Sequence, residues 1–286
     1  MCRYESTEFG PTLLGREANR GNDMSRYSRI WATEIDHLRA TTPDHPVLYF
    51  SPETLAETAR RFREGFPGLV TYAVKANDNP GVIDTLAQAG VTSFDVASPA
   101  EIALVREVVP FATLHYNNPV RSIPEIEAAV AAGVASYSID GFGGLEKLKG
   151  RVPQGVEVSV RLALPVKGAA YDFGAKFGEP PEGCVDLLRA VVAAGYVPAM
   201  TFHPGTQCED PAAWARYIET CGEISRQAGV PLARLNVGGG FPSDRGTGAR
   251  LEPIFAEIAR AVAGAFGDTR PHLVCEPGRA MVAEAF

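Results

Sequence analysis

Lys75 closes an apolar, β-prone run, Leu69-Val70-Thr71-Tyr72-Ala73-Val74, just ahead of the polar turn Asn77-Asp78-Asn79-Pro80-Gly81. An ammonium buried in such a run is costly. Losing its water also turns a lysine from a surface cation into a nucleophilic amine suited to Schiff-base chemistry. A strand-end lysine that snorkels to solvent fits the same string. Other reactive residue types stand in the same relation to a β-prone run. Asp95 lies in Phe94-Asp95-Val96-Ala97-Ser98, Arg161 near the end of Val156–Leu162, and His203 opens His203-Pro204-Gly205-Thr206-Gln207. Gly238-Gly239-Gly240 follows Asn236-Val237, and Glu276 opens Glu276-Pro277-Gly278-Arg279.

Each of these has a chemistry. Three consecutive glycines free three backbone amides to converge on phosphate oxygens, although a flexible loop has the same composition. Arg279 and the Thr206 hydroxyl would complete such a cradle. Glu276 shares a tight Pro-Gly turn with Arg279. It could hold a heterocyclic nitrogen protonated if a cation such as Arg161 keeps it ionised; a surface Glu-Arg pair is the plainer reading. His203 could stack its flat ring on a cofactor, move protons, or sit in the core bonded to backbone. Asp95 could position Lys75 or cap the following helix. His37, His45, His115 and His272 have no comparable context and read as structural. A carbonyl-binding lysine, a phosphate cradle and an acid for a ring nitrogen together describe pyridoxal phosphate. No cysteine or histidine spacing suggests a metal.

These residues can meet only if successive strands bring their carboxyl ends to one rim. The β-prone runs are Leu69–Val74, Ser93–Val96, Thr113–Tyr116, Ser136–Ile139, Val156–Leu162, Pro198–His203, Arg234–Val237 and Leu273–Glu276. Alanine-rich amphipathic segments such as Gly81–Ala89, Pro99–Val108, Ile123–Ala132, Cys184–Ala194, Ala212–Gln227 and Pro253–Phe266 alternate with them. That rhythm predicts an α/β fold, a (β/α)8 TIM barrel, with its site where strands end. A doubly wound open sheet is the alternative, although no GxGxxG or Walker loop is present. Residues 46–286 would form the barrel, and residues 1–45 an irregular N-terminal segment with a short helix around Trp31–Arg39.

A formal charge of −7 argues against nucleic acid and anionic membrane as partners, and suits a cationic small molecule. No apolar run approaches a membrane span, and the first residues lack the apolar core of a secretion signal. Five scattered cysteines read as reduced thiols of a cytoplasmic protein.

In unbroken order over about residues 45–282, these motifs resemble the barrel-fold (fold type III) pyridoxal phosphate decarboxylases of basic amino acids. This is the ornithine and diaminopimelate decarboxylase family, whose barrel is alanine-racemase-like. The resemblance implies that Lys75 is the Schiff-base lysine, that His203 stacks on the pyridine ring, and that Glu276 pairs with the ring nitrogen. Thr206, Gly238, Gly239, Gly240, Pro277, Gly278 and Arg279 would surround the phosphate, with Asp95 and Arg161 as further polar positions of the site. Phe94–Ser98 and Tyr116-Asn117-Asn118-Pro119 resemble the ornithine branch, Gln207 the diaminopimelate branch, and Lys176-Phe177-Gly178 fits both. The implied activity is decarboxylation of ornithine to putrescine in polyamine biosynthesis, or of lysine, with diaminopimelate the alternative.

Members of that family continue past the eighth strand into a β-rich domain. It supplies a proton-donating cysteine, an acid for the distal amine and a tyrosine on the phosphate, in part across a homodimer interface. No position here matches those residues. The expectation is therefore a truncated form, lacking the C-terminal β domain, with residues 1–45 placed to pack on it. A non-catalytic partner-binding homologue and a single-domain cofactor carrier are the other two readings.

Overall fold

The computed structural model describes residues 4–7, 30–164, 177–244, 246, 248 and 250–286. Cys2 and Lys176 lie outside them. The chain opens with three short strands, β1 (Tyr4–Thr7), β2 (Ile30–Trp31) and β3 (Leu48–Phe50). They form an antiparallel sheet in the order β2-β1-β3. Two of them fall in the stretch whose sequence reads as irregular, because strands of two to four residues are too short to show a period. A helix, α1 (Glu34–Thr41), is capped by the Thr33 hydroxyl and lies slightly later than expected.

Eight parallel strands follow. They are β4 (Leu69–Ala73), β5 (Ser93–Asp95), β6 (Thr113–Tyr116), β7 (Ser136–Ile139), β8 (Glu157–Arg161), β9 (Val197–Thr201), β10 (Arg234–Asn236) and β11 (His272–Cys275). They close into the expected barrel, in which β11 returns to pair with β4. The open-sheet alternative is excluded by that pairing.

Alternation along the strands separates two environments. Tyr72, Phe94 and Leu114 stand in register and are fully buried beneath the outer helices. Ala73, Asp95, His115, Ser136 and Glu157 form the next register row, on the other face. This face is the barrel interior: Glu157 of β8 pairs with Arg234 of β10 at 3.2 Å, past the intervening β9. The polar interior is mostly paired, as burial requires. His115 Nδ1, for example, bonds the Ser136 hydroxyl at 2.7 Å.

The outer helices start on one repeated device. Ser51, Asn79, Ser98 and Asp210 cap α2 (Pro52–Gly65), α3 (Pro80–Gln88), α4 (Pro99–Val108) and α8 (Pro211–Ala228) with a side-chain oxygen, each with proline as the next residue. Such a residue satisfies an orphan N–H, and proline has no N–H to lose. Between α4 and α8 lie α5 (Ile123–Ala131), α6 (Phe142–Leu148) and α7 (Pro181–Ala193). The glycine-rich α6 is a barrel helix the sequence does not announce. The circuit ends with α9 (Glu252–Phe266) and α10 (Arg279–Val282). The Ser51 N–H bonds the Ala285 carbonyl at 2.8 Å, and the rings of Phe50 and Phe286 stack at 4.9 Å, tying β3 to the end of the barrel.

Candidate active site

The carboxyl rim of the barrel gathers the residues singled out above. β4 stops at Ala73, and Lys75 stands in a single 3-10 turn, Val74–Ala76, held by the Tyr72 hydroxyl, which donates to the Asn77 carbonyl at 2.8 Å. Lys75 is exposed, which matches the solvent-reaching alternative and not the buried ammonium. It is an accessible amine at the barrel mouth. Its charge acts on Asp95, Glu101 and His203.

Asp95 is buried at the end of β5, where its Oδ1 accepts the Asn117 N–H at 3.2 Å. Burial first, and then the Glu276 carboxylate, hold its proton well above the ordinary carboxylate range, against the opposing pull of Lys75. The helix-cap alternative for Asp95 fails, because the Ser98 hydroxyl caps α4.

Glu276 follows β11. Its Oε1 accepts the side-chain amides of Asn117 (2.5 Å) and Asn236. The Oδ1 of Asn236 in turn accepts the Gly238 N–H at 2.9 Å. The sequence reading gave the task of holding Glu276 to Arg161, whereas the direct bonds come from these two asparagines. Neither was singled out, although both stand at strand ends, as Asp95, Arg161 and Glu276 do. Arg161 ends β8 with its guanidinium 5.3 Å over the Phe177 ring. Burial lowers its proton affinity, and the Glu276 charge is the first to offset that.

The triglycine is a packed junction rather than a flexible loop. A Cβ would lie 2.2 Å from the Phe202 carbonyl oxygen at Gly238, 2.6 Å from that of Glu276 at Gly239, and 2.0 Å from that of Gly205 at Gly240. Only glycine lets the loops after β9, β10 and β11 approach this closely. Gly240 also has φ 82°. Its carbonyl accepts the Cys208 N–H, and that of Gly238 accepts the Glu276 N–H. Beside it, Thr206 is half-buried, and the Gln207 carboxamide bonds both the hydroxyl and the N–H of Ser243.

His203 lies against this junction, its Nε2 3.5 Å from where a Cβ on Gly239 would be. Its Nδ1 accepts the Gly205 N–H at 3.1 Å. Burial, with Arg161 and Lys75 nearby, pushes its pKa down to about 3. The ring is therefore neutral at physiological pH, which favours the stacking role over proton transfer. Gly278 packs against Ala76 and Ala73, and the Pro277 carbonyl accepts the Ala73 N–H, so the Glu276–Arg279 turn sits on the lysine's own turn. Arg279 is exposed at the start of α10.

These groups fit pyridoxal phosphate: an exposed amine for its aldehyde, a neutral ring for its face, a carboxylate for its nitrogen and clustered amides for its phosphate. Two surface hollows lie elsewhere. One of about 530 Å³ is lined by Arg234, Arg270 and His272 at the amino ends of β10 and β11, and one of about 610 Å³ lies by Lys149 and Tyr196. Barrel chemistry belongs to the carboxyl rim. Among the described residues no group of His, Cys, Asp and Glu could hold a metal, and no helix is long and apolar enough to cross a membrane.

Comparison with known proteins agrees with this geometry. Residues 53–283 match the pyridoxal-dependent decarboxylase family, pyridoxal binding domain. A lysine/ornithine decarboxylase of Selenomonas ruminantium is 32% identical over 265 residues, which is 90% of this chain and 66% of that protein. An ornithine decarboxylase of Mus pahari is 32% identical over 221 residues, 75% of this chain and 48% of its own length. The crystal structure of a lysine/ornithine decarboxylase from Vibrio vulnificus complexed with putrescine superposes with a TM-score of 0.70 at 27% identity. That alignment covers 82% of this chain and 63% of that one. The chain belongs to the pyridoxal-dependent decarboxylase family, and its cofactor is pyridoxal phosphate. It spans about half to two thirds of the length of these relatives.

Proposed function

We propose that this chain is the cofactor-bearing barrel of a decarboxylase that acts on a basic amino acid. Ornithine, giving putrescine for polyamine biosynthesis, is the first substrate, and lysine the second. The observation that carries this reading is the convergence of Lys75, His203, Glu276 and the triglycine junction on one rim. The relatives named for ornithine and lysine decarboxylation support the substrate class. Pyridoxal phosphate, when bound, supplies an electron sink for the pair left by the departing carboxylate.

The chain's own residues do the rest. Lys75 would hold the cofactor's aldehyde through its amine. His203, neutral and fixed through Nδ1, orients the ring face. Glu276 keeps a proton at the ring nitrogen. The amides of Gly239 and Gly240, with Thr206 and Arg279, bind the phosphate, while Gly238, Pro277 and Gly278 shape the junction around it. Asp95 and Arg161 set the charge around the amine and the carboxylate. The enzyme works as a cytoplasmic homodimer.

The test is spectroscopic. Purified chain mixed with pyridoxal phosphate gains visible absorbance. Borohydride fixes the cofactor's mass on the Lys75 peptide, and Lys75→Ala abolishes both. An unmodified chain that gains no absorbance overturns the proposal. Release of labelled carbon dioxide from ornithine, lysine or diaminopimelate then ranks the substrates.

A further inference from the structure

Two amide groups converge on one oxygen of Glu276. An amide nitrogen can only donate, so both bonds need Oε1 as an acceptor. Asn236 cannot be turned round, because its Oδ1 already accepts the Gly238 N–H at 2.9 Å. Asn117 is pinned through its backbone. Its N–H donates to Asp95 Oδ1 at 3.2 Å, and its carbonyl accepts the Ser138 hydroxyl at 2.5 Å. Both asparagines are buried. The second oxygen, Oε2, has no hydrogen-bond partner among the described residues.

We infer that Asn117 and Asn236 are positioning residues that confine proton exchange on Glu276 to Oε2 and aim that oxygen at the cofactor's ring nitrogen. With Oε1 saturated by two donors, a proton on this carboxyl has one place to reside. The carboxylate plane is fixed at the same time. Asn117 also spans the two acids of the site, with its backbone on Asp95 and its side chain on Glu276. Asn236 ties the same carboxylate to the triglycine junction, so the ring-nitrogen group and the phosphate loop move as one body. This rests on the cofactor-binding reading above.

The experiment follows the ring nitrogen itself. Chain loaded with pyridoxal phosphate carrying 15N in the ring gives a resonance that reports whether that nitrogen holds a proton. In the unmodified protein it lies at the protonated position. In Asn117→Ala it moves toward the position of the free pyridine, because Oε1 now competes for the proton and the carboxyl can rotate. Glu276→Gln marks the full displacement. Asn117→Ala still loads with cofactor, since Lys75 and the glycine loop are untouched.

Asn236→Ala moves the resonance further and weakens cofactor binding as well, because it also strips the acceptor from the Gly238 N–H. If that variant does not load, Asn117→Ala decides alone. A loaded Asn117→Ala protein with an unmoved resonance overturns the inference and leaves the cofactor site standing. Failure of the unmodified chain to load overturns both.

Discussion

At the scale of single residues, the site depends on close approach as much as on reactive groups. Gly240 shows this: its missing side chain leaves room for the Gly205 carbonyl, 2.0 Å from where a Cβ would stand. Gly240→Ala is expected to lower cofactor affinity at least tenfold and to destabilise the fold by about 2 kcal/mol or more. Gly229, at φ 67° with nothing within 4 Å of a Cβ, is the control, and its alanine variant is expected to cost only about 1 kcal/mol of backbone strain. Cofactor titration and urea unfolding of both variants check the contrast. The reactive residues themselves were legible because strings such as His203–Gln207 and Glu276–Arg279 keep their chemistry in one dimension. Asn117 and Asn236 were not, since an amide at a strand end becomes a carboxylate's partner only when the barrel brings the strands together. The string left burial and exposure of Lys75 both open, because the 3-10 turn that lifts it clear of the strand carries no signal of its own.

At the scale of elements, the site is held from behind by packing. Phe241 directly follows the triglycine and is buried, stacked on Trp214 at 5.2 Å and edge-on to Phe62 and Phe255. Phe241→Ala should cost about 3–5 kcal/mol in urea unfolding. It should also weaken cofactor binding, since the glycine junction loses its anchor; an unchanged affinity would show that the junction holds itself.

Strand β6 carries a pH signature. Burial, then the Arg234 charge, push the His115 pKa down to about 4, against about 6.5 when unfolded. Below pH 6.5 the unfolded chain takes up a proton that the folded chain refuses, so this contribution is lost as pH falls toward 4. His115→Asn should flatten the stability slope between pH 6.5 and 4.5 by up to about 1.4 kcal/mol per pH unit. His203 and the oppositely signed Asp95 are common to both proteins and cancel in the difference. Urea midpoints across that range read it directly. The barrel strands and most helices were legible, because β-prone runs set between amphipathic segments and Ser-Pro or Asn-Pro starts are local signals. The helix α6 and the strands β1 and β2 were not, because glycine-rich and very short elements carry little signal and form where the surrounding structure demands them.

At the scale of the whole molecule, the fold turns a linear order into a ring. The Thr71 hydroxyl donates to the Cys275 carbonyl across a separation of 204 residues, and the Ala73 N–H reaches the Pro277 carbonyl beside it. Lys75 stands on one side of this seam and Glu276 on the other. Bringing two such distant segments together costs loop-closure entropy that no local contact repays in advance, so seams of this kind form late. A cofactor held by Lys75 and Glu276, as proposed, would be gripped from both sides of the join and act as a stopwatch for it. When the chain is diluted from urea in the presence of pyridoxal phosphate, visible colour should return with the slowest refolding phase, after the helical circular dichroism has recovered. Colour returning together with the helices would mean that the two ends of the barrel find each other before the middle is built.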